Sequence, residues 1–461
     1  MNPQHKFITK RVALFFRLLL ILLPFLLIFS IEIILRLAGF NAGYGQIFQP
    51  YQYKAGHLTT NQEIGKFYFS GSGYGSLGTQ EVFIARKPAQ TIRIFTLGGS
   101  TAAGYPYIYS GTFSAFLEQR LQLAYPDYQI EVLNLGMTAI NSYTVRDFAR
   151  ECLCYNPDLI IVYAGHNEFY GALGSASAQA SLFGTNRPLT LAYLRLKRLK
   201  IYQAIQSLTR WVKPNQETDT HAGQGTLMAR MAEEKSIALD SPLYHATKTI
   251  FEANLRDIAR WANDRNVPVL LTTLVSNLRD QKPFVSIHSP AADTSGFALR
   301  WQRVKQLMLA VSYSSALDTL KKMIVIDPDY ALLHFYAGRC AELQEQYRIA
   351  ARYYRRARDL DGLRFRATDE FNDVIRSVAN RPGTFLCEME VALEQHAVNG
   401  LIGKDLMLEH LHPNLEGYFR LGQILEESVI GQNILRQVIP QLPEAVALPD
   451  DDYFRDRMAV T

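Results

Sequence analysis

Apolar residues run almost without a break from Val12 to Leu37, interrupted only by Arg17, Glu32 and Arg36, with an uncharged centre from Leu18 to Ile31. A helix from Val12 to Leu35 reaches ~36 Å at a rise of about 1.5 Å per residue, enough to cross a bilayer with its end charges snorkelling into the headgroups. His5, Lys6, Lys10, Arg11 and Arg17 precede or open the segment, and no acid stands before Glu32. The positive-inside rule therefore predicts a single-pass anchor with a cytoplasmic N-terminus and an extracytoplasmic remainder, periplasmic in a bacterium. A cleaved signal peptide shares the basic start, but no convincing small-x-small cleavage site follows Ser30.

From Thr91 the pattern changes to short apolar runs separated by helical periodicity. Ile92 to Leu97, Ile130 to Leu135, Leu159 to Ala164 and Val267 to Val275 are too short or too β-branched for helices and predict buried strands. Thr112 to Tyr125 and Thr144 to Cys154 predict helices between them. Strands alternating with helices predict a parallel sheet covered on both faces, and in such sheets ligands bind beyond the carboxyl ends of the strands. Between the third and fourth strands, the small-residue tract GSASAQAS is followed by LTLAYLRLKRLKIYQAIQSLTRWV, residues 189–212, which reads as one basic amphipathic helix. Three roles fit that helix: a solvated helix on an apolar core, a lid, or a rest on an anionic membrane surface.

After the fourth strand, Tyr313, Ala316, Leu320 and Asp327 are matched 34 residues later by Tyr347, Ala350, Tyr354 and Asp361. That offset is the tetratricopeptide period, and about one and a half repeats resemble that family. The segment serves either as a lid or brace on the core or as a docking surface for a protein or peptide partner. Stable solenoids need about three repeats, which favours the brace.

Composition narrows the classes. With 48% hydrophobic residues in 461, a large core is available. The 48 basic and 43 acidic residues leave only +5, spread along the chain, which does not point to nucleic acid. Four cysteines in a chain this long make no disulfide framework, and Cys152 and Cys154 stand too close together to bridge without strain. His410 and His412 have no cysteine beside them, so no metal is expected.

Candidate chemistry collects at the strand ends. The first strand ends in TLGGSTAAG, which places Ser100 in a sharp turn that Gly98 and Gly99 permit, just before a helix N-terminus with free N–H groups. The second ends in NLGMTA, where Gly136 offers a bare backbone N–H. The third ends in YAGHNEFYG, where Asn167 offers a side-chain amide. With the Ser100 N–H these make three donors for an oxyanion. Near the C-terminus, LEHLHPNLEGY puts Glu409 three residues before His412, close enough to hold Nδ1 and leave Nε2 free to take a serine proton. Alternation in a short extended segment points His410 away from the side His412 uses.

GGST, NLG, GHNE and ExxHP, in this order across roughly Thr91 to Ile430, resemble the four blocks of the SGNH/GDSL hydrolase superfamily. The resemblance implies Ser100 as nucleophile, His412 as base, and Gly136 and Asn167 as oxyanion donors beside the Ser100 amide. It also implies a flavodoxin-like three-layer α/β/α fold, with Glu409 where an aspartate usually orients the histidine. GGST in place of GDS and Glu168 after Asn167 depart from the common pattern. Strings similar to GHNEFYG, SNLRDQKPF and DGLRFRA bring the chain nearer to membrane-anchored SGNH proteins with tetratricopeptide-like segments. The arginines in the last two strings, Arg279 beside Asp280, Arg364 and Arg366, are either an anion clamp or structural ion pairs, the second being the commoner use.

The expected organisation is a cytoplasmic stub and anchor at 1–37, a juxtamembrane segment at 38–90, hydrolase core at 91–290, a helical insert at 291–366, and closing core with the histidine at 367–461. The resemblance implies an esterase that works without a cofactor through an acyl-serine, removing acyl groups from a carbohydrate or cell-envelope glycan. The alternatives are an O-acyltransferase built on the same residues and a non-catalytic membrane adaptor acting through the repeat.

Overall fold

The computed structural model describes residues 3–69, 77–177, 184–212 and 236–458. These fall into two compact units.

One unit holds the described residues up to Gln46 together with Asn186–Val212. Its first element is the helix Pro3–Leu37, whose stretch Val12–Leu37 is long and apolar enough to cross a membrane, with a mean hydropathy of 2.9 and only 6% of it buried. The basic stretch at 189–212 forms two helices, Arg187–Lys197 and Lys200–Val212, instead of the single one expected. The physical reason lies in Glu32. Its carboxylate accepts the Lys200 and Ile201 N–H groups at 3.0 and 2.9 Å, a cap that starts a new helix there. Arg198, at the break, donates to the Gly45 carbonyl at 2.9 Å.

The other unit is built on five parallel strands: β4 (Thr91–Gly98), β5 (Gln129–Gly136), β6 (Leu159–Tyr163), β7 (Val269–Thr272) and β8 (Thr384–Cys387). Their order is β5-β4-β6-β7-β8. The helices Phe113–Ala124 and Leu415–Gly431 pack together, as do Ser142–Cys152, Pro242–Asn263 and Asp369–Ala379, giving a sheet flanked by helices. This is the doubly wound arrangement, and its order reverses at β4, beside which a ligand crevice opens. The four expected strands are present. The fourth is shorter than its apolar run because Val275 N–H leaves the ladder for the Tyr163 hydroxyl, 3.1 Å away. β8 was missed because TFLC is four residues long and only half buried, with neither a long apolar run nor clean alternation.

β4 is buried along its whole length, including Arg93. That guanidinium is fully spent on Glu131 at 2.8 Å and on the carbonyls of Tyr155 at 3.0 Å and Ile84 at 2.8 Å, which is how a central strand tolerates a cation. Ahead of the sheet, the expected juxtamembrane segment contains a small antiparallel sheet of β1 (Phe48–Pro50), β2 (His57–Thr60) and β3 (Val82–Ile84). Of the tract GSASAQAS, residues 178–181 lie outside the described residues.

Between β7 and β8 stand the helices Phe297–Leu309, Tyr313–Ile326, Ala331–Glu342 and Tyr347–Asp359, each packed on the next. The residues related by the 34-residue offset do equivalent work. Ala316 and Leu320 are buried in one apolar cluster, Ala350 and Tyr354 in the next. Asp327 accepts Ser289 N–H at 2.8 Å, and Asp361 accepts Phe284 and Val285 N–H at 2.9 and 3.0 Å. Both aspartates thus tie the helices to one extended segment of the chain.

Candidate active site

β4 delivers Ser100 to the switch point. Gly98 and Gly99 are needed there for close approach: a Cβ on Gly98 would stand 2.0 Å from the Tyr163 carbonyl oxygen, and one on Gly99 would stand 2.7 Å from the Asn167 amide nitrogen. The backbone turns at Gly99 into the one-turn helix Ser100–Ala103, which ends at Gly104 with φ 86°. Ser100 stays partly exposed and Asn167 is buried beside it.

His412 comes from the far end of the chain. The segment around it is a tight turn and not the short extended segment expected. Leu408 N–H donates to the His412 carbonyl at 2.9 Å, and Asn414 then caps the helix Leu415–Gly431 through Gly417 N–H at 2.9 Å. Inside this turn Glu409 Oε1 accepts His412 N–H at 2.7 Å and lies 2.5 Å from His412 Nδ1. His412 Nε2 lies 2.7 Å from Ser100 Oγ. With Nδ1 donating to the carboxylate, Nε2 carries the lone pair and the serine hydroxyl donates to it. The Tyr105 ring lies against the imidazole at a centroid distance of 4.9 Å.

His410 corrects an expectation. It does not point away: its Nδ1 pairs with Glu409 Oε2, while its ring packs on Phe284 and Phe365 at 5.2 and 5.6 Å. The turn puts both histidines on one carboxylate, where alternation would have separated them. Burial pushes the Glu409 carboxyl up, but the hydrogen bonds and charges of His410 and His412 outweigh it and hold the group well below the usual carboxylate range.

Gly136 is a second correction. Its N–H donates to Asn134 Oδ1 at 2.9 Å, and a Cβ there would stand 2.1 Å from Ala103 N. The glycine lets β5 pack against the helix that carries Ser100, and its amide is already spent. The part of that loop that lines the site is Ile140, four residues on.

Sequence reasoning passed over His166, which lines the same pocket as Ser100, Asn167, Tyr163 and Leu411, a space of about 10 Å³. Its Nδ1 accepts Ala367 N–H at 3.1 Å, so Nε2 carries the proton, and that atom is buried without a partner among the described residues. Burial, with the neighbouring His412 and His410, lowers its pKa to about 3, which keeps the ring neutral. The signal was in the string GHNE, but position alone does not tell a buried donor from a surface histidine.

Glu168 turns away from the pocket and accepts Ser142 N–H and Oγ–H at 2.8 and 2.7 Å. Burial raises its pKa to about 7 against these bonds. A carboxyl raised in the folded state binds its proton more tightly than in the unfolded chain. Its stabilisation is therefore complete below its unfolded pKa near 4.3 and is lost as pH rises through about 7. Half-buried Glu118 and buried Glu426, also raised to about 7, act in the same direction. These carboxyls should lower the melting temperature as pH rises from 5 to 7, with His166 opposing them below its unfolded pKa near 6.5, and Glu168→Gln should flatten part of that fall; an unchanged slope in the variant would show that Glu168 is ionised throughout.

Arg279, Arg364 and Arg366 are structural. Arg366 pairs with Asp361 at 3.2 Å and donates to the Asn277 carbonyl at 2.8 Å, both buried. Arg364 donates to the carbonyls of Ile237 and Asp359, and Arg279 bridges Asp280 and Asp405.

No protein-family model and no curated protein matches the chain. Among solved structures it is similar to a catalytic mutant of Axe2, an acetylxylan esterase from Geobacillus stearothermophilus, at TM-score 0.34 and 10% identity over 73% of this chain and 94% of that one. It is also similar to the acetyl xylan esterase AlAXEase, at TM-score 0.32 and 12% identity over 73% of this chain and all of that one.

Proposed function

We propose that the chain is a membrane-anchored SGNH-type serine esterase that removes short acyl groups from a carbohydrate or cell-envelope glycan on the extracytoplasmic side. The observation that carries this reading is the hydrogen-bonded line from Glu409 through His412 to Ser100, set at the switch point of the sheet. Ser100 Oγ attacks the acyl carbonyl as His412 Nε2 takes its proton. The tetrahedral intermediate collapses as His412 protonates the departing alkoxide, leaving an acyl-serine. Water, deprotonated by His412, then releases the acid. The negative charge that builds on the carbonyl oxygen is met by the Ser100 amide and the Asn167 side chain, with His166 Nε2–H as a further donor in the same pocket wall.

The space beside Ser100 is small, which favours a short acyl group over a long one. The helices of 291–366 serve this reading as a brace. Where they rejoin the core, Ala367 fixes the His166 tautomer and Phe365 packs on His410. The test is a comparison of activated esters on the full chain in detergent. Acetyl should turn over at least about 10²-fold faster than octanoyl, and His166→Phe should lose about 10²-fold in kcat on the acetyl ester, as one oxyanion donor does. Equal rates across chain lengths would defeat the short-acyl assignment, and an unchanged kcat in the His166 variant would remove that residue from the donor set.

A further inference from the structure

The two helices at 187–212 have a composition the esterase reading does not use. They hold Arg187, Arg195, Lys197, Arg198, Lys200 and Arg210 and no acidic residue. They also leave large apolar side chains in the open: Leu189 is 50% exposed, Leu196 44%, Ile205 56% and Leu208 60%. Leu189 and Leu196 are seven residues apart and Ile205 and Leu208 three, spacings that keep each pair on one helix face. The inward side is satisfied: Leu194 is buried, and buried Gln203 donates to the Lys197 carbonyl at 3.0 Å. An exposed leucine face under a wholly basic sequence is a poor surface for water and a good one for an anionic bilayer.

What covers that face follows from where the helices are tied. The Lys200 and Ile201 amides sit on Glu32, which belongs to the apolar helix itself and lies five residues before its end at Leu37. At about 1.5 Å per residue that is ~7 Å along the axis, so the junction lies at the level of the hydrocarbon boundary. Lys200 Nζ and Arg198 hold the carbonyls of Asn41 and Gly45, just past the helix end, at 2.7 and 2.9 Å. Glu32 thereby gains a use: in an apolar span a carboxylate needs partners, and here it meets two N–H groups and Arg36 at 2.6 Å.

We propose that Arg187–Lys197 and Lys200–Val212 form an in-plane element whose exposed leucines and isoleucine enter the outer leaflet of the bilayer that Pro3–Leu37 spans, while exposed Arg195 meets anionic phospholipid headgroups and the other cations keep the field at the surface positive. This rests on the anchor reading of the N-terminal helix. The element gives the chain a second hold on the membrane and fixes the height of the anchor's exit.

The test uses the full chain with exposed Cys154 changed to serine, the other three cysteines being buried. Nitroxides are placed singly at Leu208→Cys, at Phe25→Cys within the apolar helix, and at Leu309→Cys as an aqueous reference that is 85% exposed. In bilayers of phosphatidylcholine with phosphatidylglycerol, the ratio of collision with oxygen to collision with a water-soluble nickel chelate should be several-fold higher at Leu208 than at Leu309. Replacing phosphatidylglycerol by phosphatidylcholine should lower it. A membrane-like Phe25 with a Leu208 ratio equal to that of Leu309 overturns the proposal and leaves the anchor standing; a water-exposed Phe25 overturns both.

Discussion

On the proposed esterase reading, Ser100→Ala and His412→Ala each lower hydrolysis of an activated acetyl ester by about 10³-fold or more, and the double variant is hardly worse than either single one, because a nucleophile and its base act as one unit. The expectation rests on the 2.7 Å contact between Ser100 Oγ and His412 Nε2, which neither residue can replace alone. Both variants should keep the wild-type melting temperature to within a few degrees, since Ser100 is partly exposed and the turn at 408–412 is closed by backbone bonds. A wild type no faster than its variants, together with failure of a serine-directed phosphonate to label Ser100, would reject the esterase and favour an adaptor. Glu409→Gln belongs to the same experiment. It removes the charge while keeping the shape, and its loss of rate reports how far the shared carboxylate orients His412.

Arg358→Met destabilises the fold by about 3–5 kcal/mol, the usual result of removing one partner from a buried charge cluster. The Arg358 side chain is 1% exposed, and it reaches Glu390 at 2.8 Å, Asp359 at 3.0 Å and also Asp369. Those contacts join the last insert helix to the helices that flank β8. Without the guanidinium, half-buried Asp359 and buried Glu390 keep their sites and lose their counter-charge. Burial raises Asp359 to about 6 even with Arg358 attracting its charge. The variant's deficit should therefore be larger at pH 8, where the carboxylate is charged, than at pH 5, where it can take a proton. Chemical denaturation at the two pH values checks both statements, and a deficit under about 1 kcal/mol would show that water reaches the carboxylates.

Much of this protein is written in local pattern. The apolar run at Val12–Leu37 determines a long exposed helix, because 26 residues with only three charges offer it no polar face. The runs that became β4, β5 and β6 determine buried parallel strands, and the glycines and serine at 98–100 determine a turn at one strand's end. Glu409 and His412 find each other through three residues of chain, so sequence alone pairs them.

Other features were decided only in three dimensions. Ser100 and His412 are 312 residues apart, and no local rule brings their side chains together; the packing of Leu415–Gly431 on Phe113–Ala124 belongs to the three-layer arrangement that does. Gly136 was spent by a side chain two residues away, a bond visible only once β5 had packed on the helix that carries Ser100. His166 became a neutral donor because Ala367, far along the chain, supplies the N–H that sets its tautomer. The break at Arg198 came from a carboxylate in the N-terminal helix. Periodicity records which face of a segment meets an apolar environment. Which donor or charge waits on the other side depends on a residue that the segment itself does not contain.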